Sequence, residues 1–148
     1  MTITVEALRN GCYLPGAAAT EAAGEALAAA LPDDTVVALQ GPMGAGKTTL
    51  VRGLARGLGI HHPVTSPTYQ LYHVHAGKRQ LVHLDAYRLE DPAEADGLLL
   101  EECLHSPFVL VIEWPERVPT NWLEDAWRVT LAPDGEGRRL SLCVPPRD

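Results

Sequence analysis

Thr35-Val36-Val37-Ala38-Leu39-Gln40-Gly41-Pro42-Met43-Gly44-Ala45-Gly46-Lys47-Thr48-Thr49-Leu50-Val51-Arg52-Gly53-Leu54-Ala55-Arg56-Gly57-Leu58 sets the architecture. Its middle fits the spacing G-x-x-x-x-G-K-[ST] of a phosphate-binding loop, with Gly41, Gly46, Lys47 and Thr48 in the required places. Glycines there permit backbone conformations that other residues resist, and they leave room for an anion. The N–H groups of about Gly44 to Thr49 can then turn inward as an anion nest. Lys47 brings a positive charge and Thr48 a hydroxyl suited to Mg2+. Context supports the motif. Thr35 to Leu39 is a short apolar run rich in β-branched residues, the pattern of a buried parallel strand. Leu50, Val51, Leu54 and Leu58 then fall on one helical face, and Gly59 supplies a stop. The loop therefore joins a strand to a helix whose positive dipole end faces the same anion.

Beyond this segment, 148 residues suffice for one domain with one substantial core, so residues 1–148 are expected to form a single unit. No apolar stretch approaches the roughly 20 residues needed to cross a bilayer. Met1 to Glu6 lacks the basic region and apolar core of a signal peptide. A net charge of −7 argues against a broad nucleic-acid-binding face. Cys12, Cys103 and Cys143 are dispersed and odd in number, which suggests small buried residues in a reducing cytoplasm.

Upstream of the loop, residues 1–15 are weakly patterned, with one edge strand near Gly11 to Leu14. Residues 17–31 are rich in alanine and read as a helix, with Thr20 as a candidate N-cap. Downstream, Val64 to Tyr69 is a proline-punctuated loop. A strand follows as far as His75, then a turn at Ala76 to Lys78 and a return strand from Gln80 to Leu84. Ala93 to His105 reads as a helix with Leu98, Leu99 and Cys103 inward. Phe108 to Ile112 is a second central strand. The alternations around Trp127 to Leu131 and Leu140 to Val144 flank Pro133 to Gly137 and form a hairpin. The expected fold is α/β: a three-layer P-loop NTPase-like domain, its central mixed sheet flanked by helices, with a C-terminal β-hairpin.

Phosphate chemistry needs a carboxylate for Mg2+ and a group that orients the nucleophile. Both are expected at the carboxyl ends of strands. Asp85 and Glu113 stand there, and which of them activates water is open. Thr65, Ser66 and Thr68 offer hydroxyls in a loop placed where small GTPases sense Mg2+ and the γ-phosphate. Arg88 is the one further arginine suited to a phosphate, with a surface pair to Glu90 or Asp91 preferred for it. His73 and His75 share a strand face but lack a further ligand for a metal. Trp114 either stacks on a ligand or packs.

Four segments together resemble one family. They are Gly41 to Thr49, Thr65-Ser66-Pro67-Thr68-Tyr69, His83-Leu84-Asp85-Ala86-Tyr87-Arg88-Leu89 and Ile112-Glu113-Trp114-Pro115-Glu116. Their order and spacing are similar to those of the TsaE (YjeE) family across nearly the whole chain. The resemblance implies a small cytoplasmic Mg2+-dependent ATPase in the synthesis of N6-threonylcarbamoyladenosine at position 37 of tRNA. It implies the TsaD and TsaB proteins as partners, with tRNA met only through them, and hydrolysis that resets their assembly. By motif, Gly41, Gly44, Ala45, Gly46, Lys47, Thr48 and Thr49 would hold the phosphates of ATP. Thr48 and Glu113 would hold Mg2+, and Asp85 would be the Walker-B-type acid or the water-orienting group. Lys47, Asp85 and Glu113 would form the catalytic set, and Thr65, Ser66 and Thr68 the switch segment. Pro42 and Met43 depart from the family at spacer positions. Ala17 to Ala19, where the resemblance implies adenine contacts, carry little recognisable signal. The alternative is a P-loop small-molecule kinase, disfavoured because no arginine-rich lid follows the last central strand. A GTPase is disfavoured because no N-K-x-D motif occurs.

Overall fold

The computed structural model describes residues 3–42, 44–64 and 71–146. In chain order the elements are α1 (Val5–Asn10), β1 (Cys12–Leu14), α2 (Ala17–Ala30), β2 (Thr35–Gln40), α3 (Lys47–Gly57), β3 (Tyr72–His75), β4 (Gln80–Asp85), α4 (Ala93–Asp96), β5 (Phe108–Glu113), β6 (Trp127–Asp134) and β7 (Gly137–Cys143). Short 3-10 turns cover Ala86–Arg88, Leu100–Glu102, Pro115–Arg117 and Thr120–Leu123.

The strands form one mixed sheet in the order β1-β7-β6-β2-β5-β4-β3. β6, β2, β5 and β4 run parallel, and the pairs at both margins are antiparallel. Side-chain alternation sends neighbouring residues of each strand to opposite faces. Val37, Leu39, Val109 and Val111 join Leu27, Leu50 and Leu54 in a core on one face. Ala38, Leu110 and Ile112 join Ala95, Leu100 and Leu123 in a core on the other. The expected three layers and the C-terminal hairpin are both present.

On the first face α2 and α3 cross at close range. A methyl added at Gly24 would strike Leu50 O, and one at Gly53 would strike Glu21 O. Backbone meets backbone there, which only glycine allows. Arg56 closes the crossing at the surface, 2.9 Å from Glu21 and 3.0 Å from Glu25.

Register sets the working edge. Leu39 of β2 pairs with Glu113 of β5, and Glu113 pairs in turn with Asp85 of β4. The carboxyl ends of three neighbouring parallel strands therefore lie side by side, next to the loop that follows Gln40.

Some local expectations need correction. Val5–Asn10 is helical, capped by Thr4 Oγ1, which accepts from Ala7 N at 3.2 Å. Six residues with one buried leucine give too little periodicity to read. Thr20 is not the cap of α2. It lies buried inside the helix and its hydroxyl donates to Gly16 O at 3.1 Å. The helix expected over Ala93 to His105 stops at Asp96. Leu99 adopts left-handed backbone (φ 53°), so Ala95 and Leu100 are buried while Leu99 is 58% exposed. Cys12 and Cys103 are only half-buried and Cys143 is exposed, so the expectation of buried cysteines does not hold. Among the described residues no helix is long and apolar enough to cross a membrane.

Candidate functional site

A cleft of about 430 Å3 opens at the carboxyl edge of β2, β5 and β4. Gly44, Gly46, Lys47, Thr48, Thr49, Asp85, Glu113, Trp114 and Arg138 line it. Its size suits a small ligand. The loop after β2 ends at Gly46, whose left-handed backbone (φ 98°) turns the chain into α3 without a side-chain cap. The first N–H groups of a helix have no acceptor within it, so this end presents donors to an anion. Ala45 is buried in the first core and its N–H bonds to Pro42 O at 3.2 Å, which braces the loop from below.

Lys47 is 8% exposed. Its Nζ lies 3.7 Å from Glu113 Oε1 and 4.5 Å from the centre of the Trp114 ring. Glu113, 4% exposed, has a second partner: His83 Nε2 donates to Oε2 at 2.5 Å. Burial alone pushes this carboxyl up. The hydrogen bond from His83 and the charges of His83 and Lys47 outweigh it and hold the group below its ordinary value. Glu113 is thus a buried carboxylate fixed from both sides. Losing one partner of such a group costs far more than losing a surface pair.

Asp85 is half-buried at the end of β4, and its Oδ1 accepts from Tyr87 N at 3.0 Å. Trp114 follows Glu113 in left-handed backbone (φ 60°), a costly conformation for a bulky residue. That turn presents its ring to Lys47 and to Tyr87, 5.1 Å away between ring centres. The ring both packs and lines the cleft.

Of the expected site residues, Gly44, Gly46, Lys47, Thr48, Thr49, Asp85 and Glu113 meet in this one cleft. Gly41 lies at the start of the loop, where a methyl would strike Leu131 O. Thr65, Ser66 and Thr68 lie outside the described residues, as does Met43. Arg88 is exposed and, among the described residues, forms no ion pair with Glu90 or Asp91. His75 Nδ1 lies 2.9 Å from His62 Nε2, and its ring meets that of His73 edge-on, 5.9 Å between centres. Burial, then the neighbouring His62, His73 and His83, lowers its pKa to about 4.

Two residues at the site receive no role from the sequence. His83 interrupts the apolar run Leu81, Val82 and Leu84 of β4, opposite Val111 and two residues before Asp85. A lone histidine inside a buried run is the signal that marks it, because it needs a polar partner. Arg138, rather than the exposed Arg88, is the arginine that reaches the loop, and it comes from β7. Two consecutive arginines in a hairpin give no hint of which faces the site.

The family model "Threonylcarbamoyl adenosine biosynthesis protein TsaE" matches residues 14–140. The chain is 41% identical over 109 residues to a Treponema pallidum protein, covering 74% of this chain and 81% of that protein. It is 44% identical over 112 residues to one from Synechocystis, covering 72% and 71%. It is 34% identical over 121 residues to one from Bacillus subtilis, covering 81% and 75%. Each of the three carries the name "tRNA threonylcarbamoyladenosine biosynthesis protein TsaE". The crystal structure of Bacillus subtilis YdiB is similar throughout, with a TM-score of 0.71 and 26% identity over 91% of this chain and 85% of that one.

Proposed function

The chain belongs to the TsaE family of threonylcarbamoyladenosine biosynthesis proteins, and from that premise we propose that it is a Mg2+-dependent ATPase serving formation of N6-threonylcarbamoyladenosine at position 37 of tRNA. Residues 1–148 act as one domain in the cytoplasm beside the TsaD and TsaB proteins, and hydrolysis resets that assembly between turnovers. The partners hold the tRNA, since a net charge of −7 gives this chain no broad basic footprint.

The observation that carries this reading is the convergence of the phosphate loop, Lys47, Thr48, Asp85 and Glu113 on one cleft. The donor set suits the ligands. Backbone N–H groups and Lys47 meet polyphosphate, while a hydroxyl and two carboxylates meet a hard cation that keeps much of its water. In this reading Gly41, Gly44, Ala45, Gly46, Lys47, Thr48 and Thr49 hold the phosphates, and Thr65, Ser66 and Thr68 sense the γ-phosphate. Thr48 and Glu113 hold Mg2+, which when bound offsets phosphate charge. Asp85 orients the attacking water. Lys47 Nζ turns from Glu113 toward a phosphate oxygen. His83 then keeps Glu113 in place, because the carboxylate loses one partner and retains the other.

One observation favours a second division of labour between the acids. Both oxygens of Glu113 are engaged, whereas only Oδ1 of Asp85 accepts a hydrogen bond among the described residues. Asp85 would then hold Mg2+ and Glu113 would orient water. Glu113→Gln and Asp85→Asn separate the two: the cation ligand raises the Mg2+ concentration needed for activity, and the water-orienting group lowers the rate with Mg2+ affinity kept.

The test of the reading itself is ATP hydrolysis with and without TsaD and TsaB. Hydrolysis is expected to rise with the partners and to fall by at least ~10²-fold in Lys47→Ala, the scale of losing one charge-stabilising donor. Lack of hydrolysis under every condition, or Lys47→Ala turning over like the parent, defeats it.

A further inference from the structure

The hairpin of β6 and β7 runs on past the end of β2. β6 pairs with β2 as far as Thr130 opposite Gln40, then continues to Asp134 before the chain turns back. Arg138 pairs with Pro133 on that overhang, beyond the last residue of β2. It stands between Pro133 and Leu14 of β1, past the point where β2 gives way to the phosphate loop.

Its side chain lies against the loop. A methyl added at Gly46 would strike Arg138 Nη1 and stand 3.1 Å from Cδ and 3.2 Å from Cζ. The absent side chain of Gly46 thus makes room for a guanidinium as well as for an anion. Other arginines have partners: Arg139 Nε lies 3.2 Å from Asp134 Oδ2, and Arg56 and Arg79 pair with acids. Arg88 and Arg128 are exposed. Arg138 is half-buried, its Nε is shielded without a hydrogen-bond partner, and among the described residues no carboxylate lies within 4.0 Å of it.

A cation held beside Lys47 and a nest of N–H donors is repelled by both. A desolvated donor with no acceptor is also costly. Of the two carboxylates in the cleft, Glu113 is paired with Lys47 and Asp85 accepts from Tyr87 N, and neither lies within 4.0 Å of Arg138. A polyphosphate supplies acceptors to Arg138, and the guanidinium fork matches two of its oxygens at once. We propose that Arg138 is a phosphate-contacting residue of the nucleotide site, supplied by the C-terminal hairpin to the side of the loop away from the strand ends that carry Asp85 and Glu113. This rests on the ATP reading above. The hairpin thereby gains a role in binding, because its overhang closes the clamp that Lys47 begins.

The experiment measures binding of Mg2+-ADP and of Mg2+ with a non-hydrolysable ATP analogue by calorimetry. The proteins are the parent, Arg138→Met, Arg138→Lys and Lys47→Ala, each checked for its thermal midpoint. Arg138→Met is expected to weaken both nucleotides at least ~10-fold, and Arg138→Lys to recover only part, since it keeps the charge and loses the fork. A parallel readout uses the parent alone: an arginine-directed dicarbonyl followed by peptide mass spectrometry, with and without Mg2+-ADP. Nucleotide should protect Arg138 and leave Arg139 reactive. If Arg138→Met does not fold, Arg138→Lys and the protection pattern decide. Parent-like affinity in the Arg138 variants with binding lost in Lys47→Ala overturns the role of Arg138 and leaves the ATP site standing. A parent protein that binds neither nucleotide overturns both.

Discussion

The two layers that cover the sheet are built by different means. One consists of α2 and α3, long helices whose backbones touch at Gly24 and Gly53 and which bury Leu27, Leu50 and Leu54. The other consists of α4, four residues long, and 3-10 turns that bury Ala95, Leu100 and Leu123 over the opposite face. The first layer carries the phosphate loop at the start of α3, so its rigidity is the rigidity of the site. The second leaves a groove of about 430 Å3 along Leu99, Leu100, Leu104, Leu110 and Trp122, rimmed by Asp96, Glu101 and Glu102. One side of the sheet therefore has close-packed long helices under the site, and the other short turns beside an open groove.

The largest effect that tests this contrast is a paired truncation. Leu54→Ala removes a side chain 2% exposed at the centre of the long-helix layer, and should cost about 3–5 kcal/mol in urea unfolding. Leu100→Ala removes one 3% exposed beside the groove, where the turns can settle into the gap, and should cost about 2 kcal/mol. Leu54→Ala should also weaken Mg2+-ATP binding, because α3 bears Lys47 and Thr48, while Leu100→Ala should not. Equal costs, or a greater loss of binding from Leu100→Ala, would mean that the two layers share the work.

What is legible in the sequence follows the same division. Long elements with a clear period are readable: the β-branched run Thr35 to Leu39, the helical stripe Leu50, Val51, Leu54 and Leu58, and the acids Asp85 and Glu113 at the ends of strands. In the opposite layer the pattern fails. Gly97 and the left-handed Leu99 break the helix expected through His105, and turns of three or four residues hold too few side chains to show a period. The site's two surprises are tertiary. His83 is explained only by Glu113 on the next strand, and Arg138 only by the overhang of a hairpin whose length past β2 depends on pairing. A histidine in an apolar run hints at the first, and nothing local hints at the second.

A smaller effect probes the margin of the long-helix layer. His75, 8% exposed on the edge strand β3, pairs with Leu81 of that layer's core and hydrogen-bonds His62 just beyond α3. Its pKa is about 4 in the folded protein, against about 6.5 for a free histidine. The fold therefore holds it neutral. Its contribution is intact above about pH 6.5 and is lost as pH falls toward 4, because the unfolded chain takes up the proton first. The lowered Glu113 carboxyl begins to matter only below its ordinary value of 4.5, so the window from 6.5 to 4.5 precedes it. The urea midpoint is expected to drop between about pH 7 and about pH 5, and His75→Gln should flatten at least half of that drop. An unchanged slope in His75→Gln would assign the acid sensitivity to other groups and remove His75 from the contrast.

The smallest effect bears on the side with the groove. Leu99 combines 58% exposure with φ 53°, an apolar side chain in water on a backbone that disfavours it. Left-handed backbone costs a residue with a Cβ roughly 1–2 kcal/mol, and asparagine less because its side chain bonds locally. Glycine would remove the strain too, but it gains freedom in the unfolded chain and returns about 0.4–1 kcal/mol of the benefit. Leu99→Asn should therefore raise stability by about 0.5 kcal/mol, read as a small increase in urea midpoint with the m-value unchanged. If the turn layer is held by its geometry alone, nothing opposes this gain. If Leu99→Asn instead lowers stability by more than about 1 kcal/mol, the exposed leucine is itself packing against the groove. The second layer would then be a built core in its own right, and its strain would be retained for contact with apolar side chains rather than tolerated at a loose end.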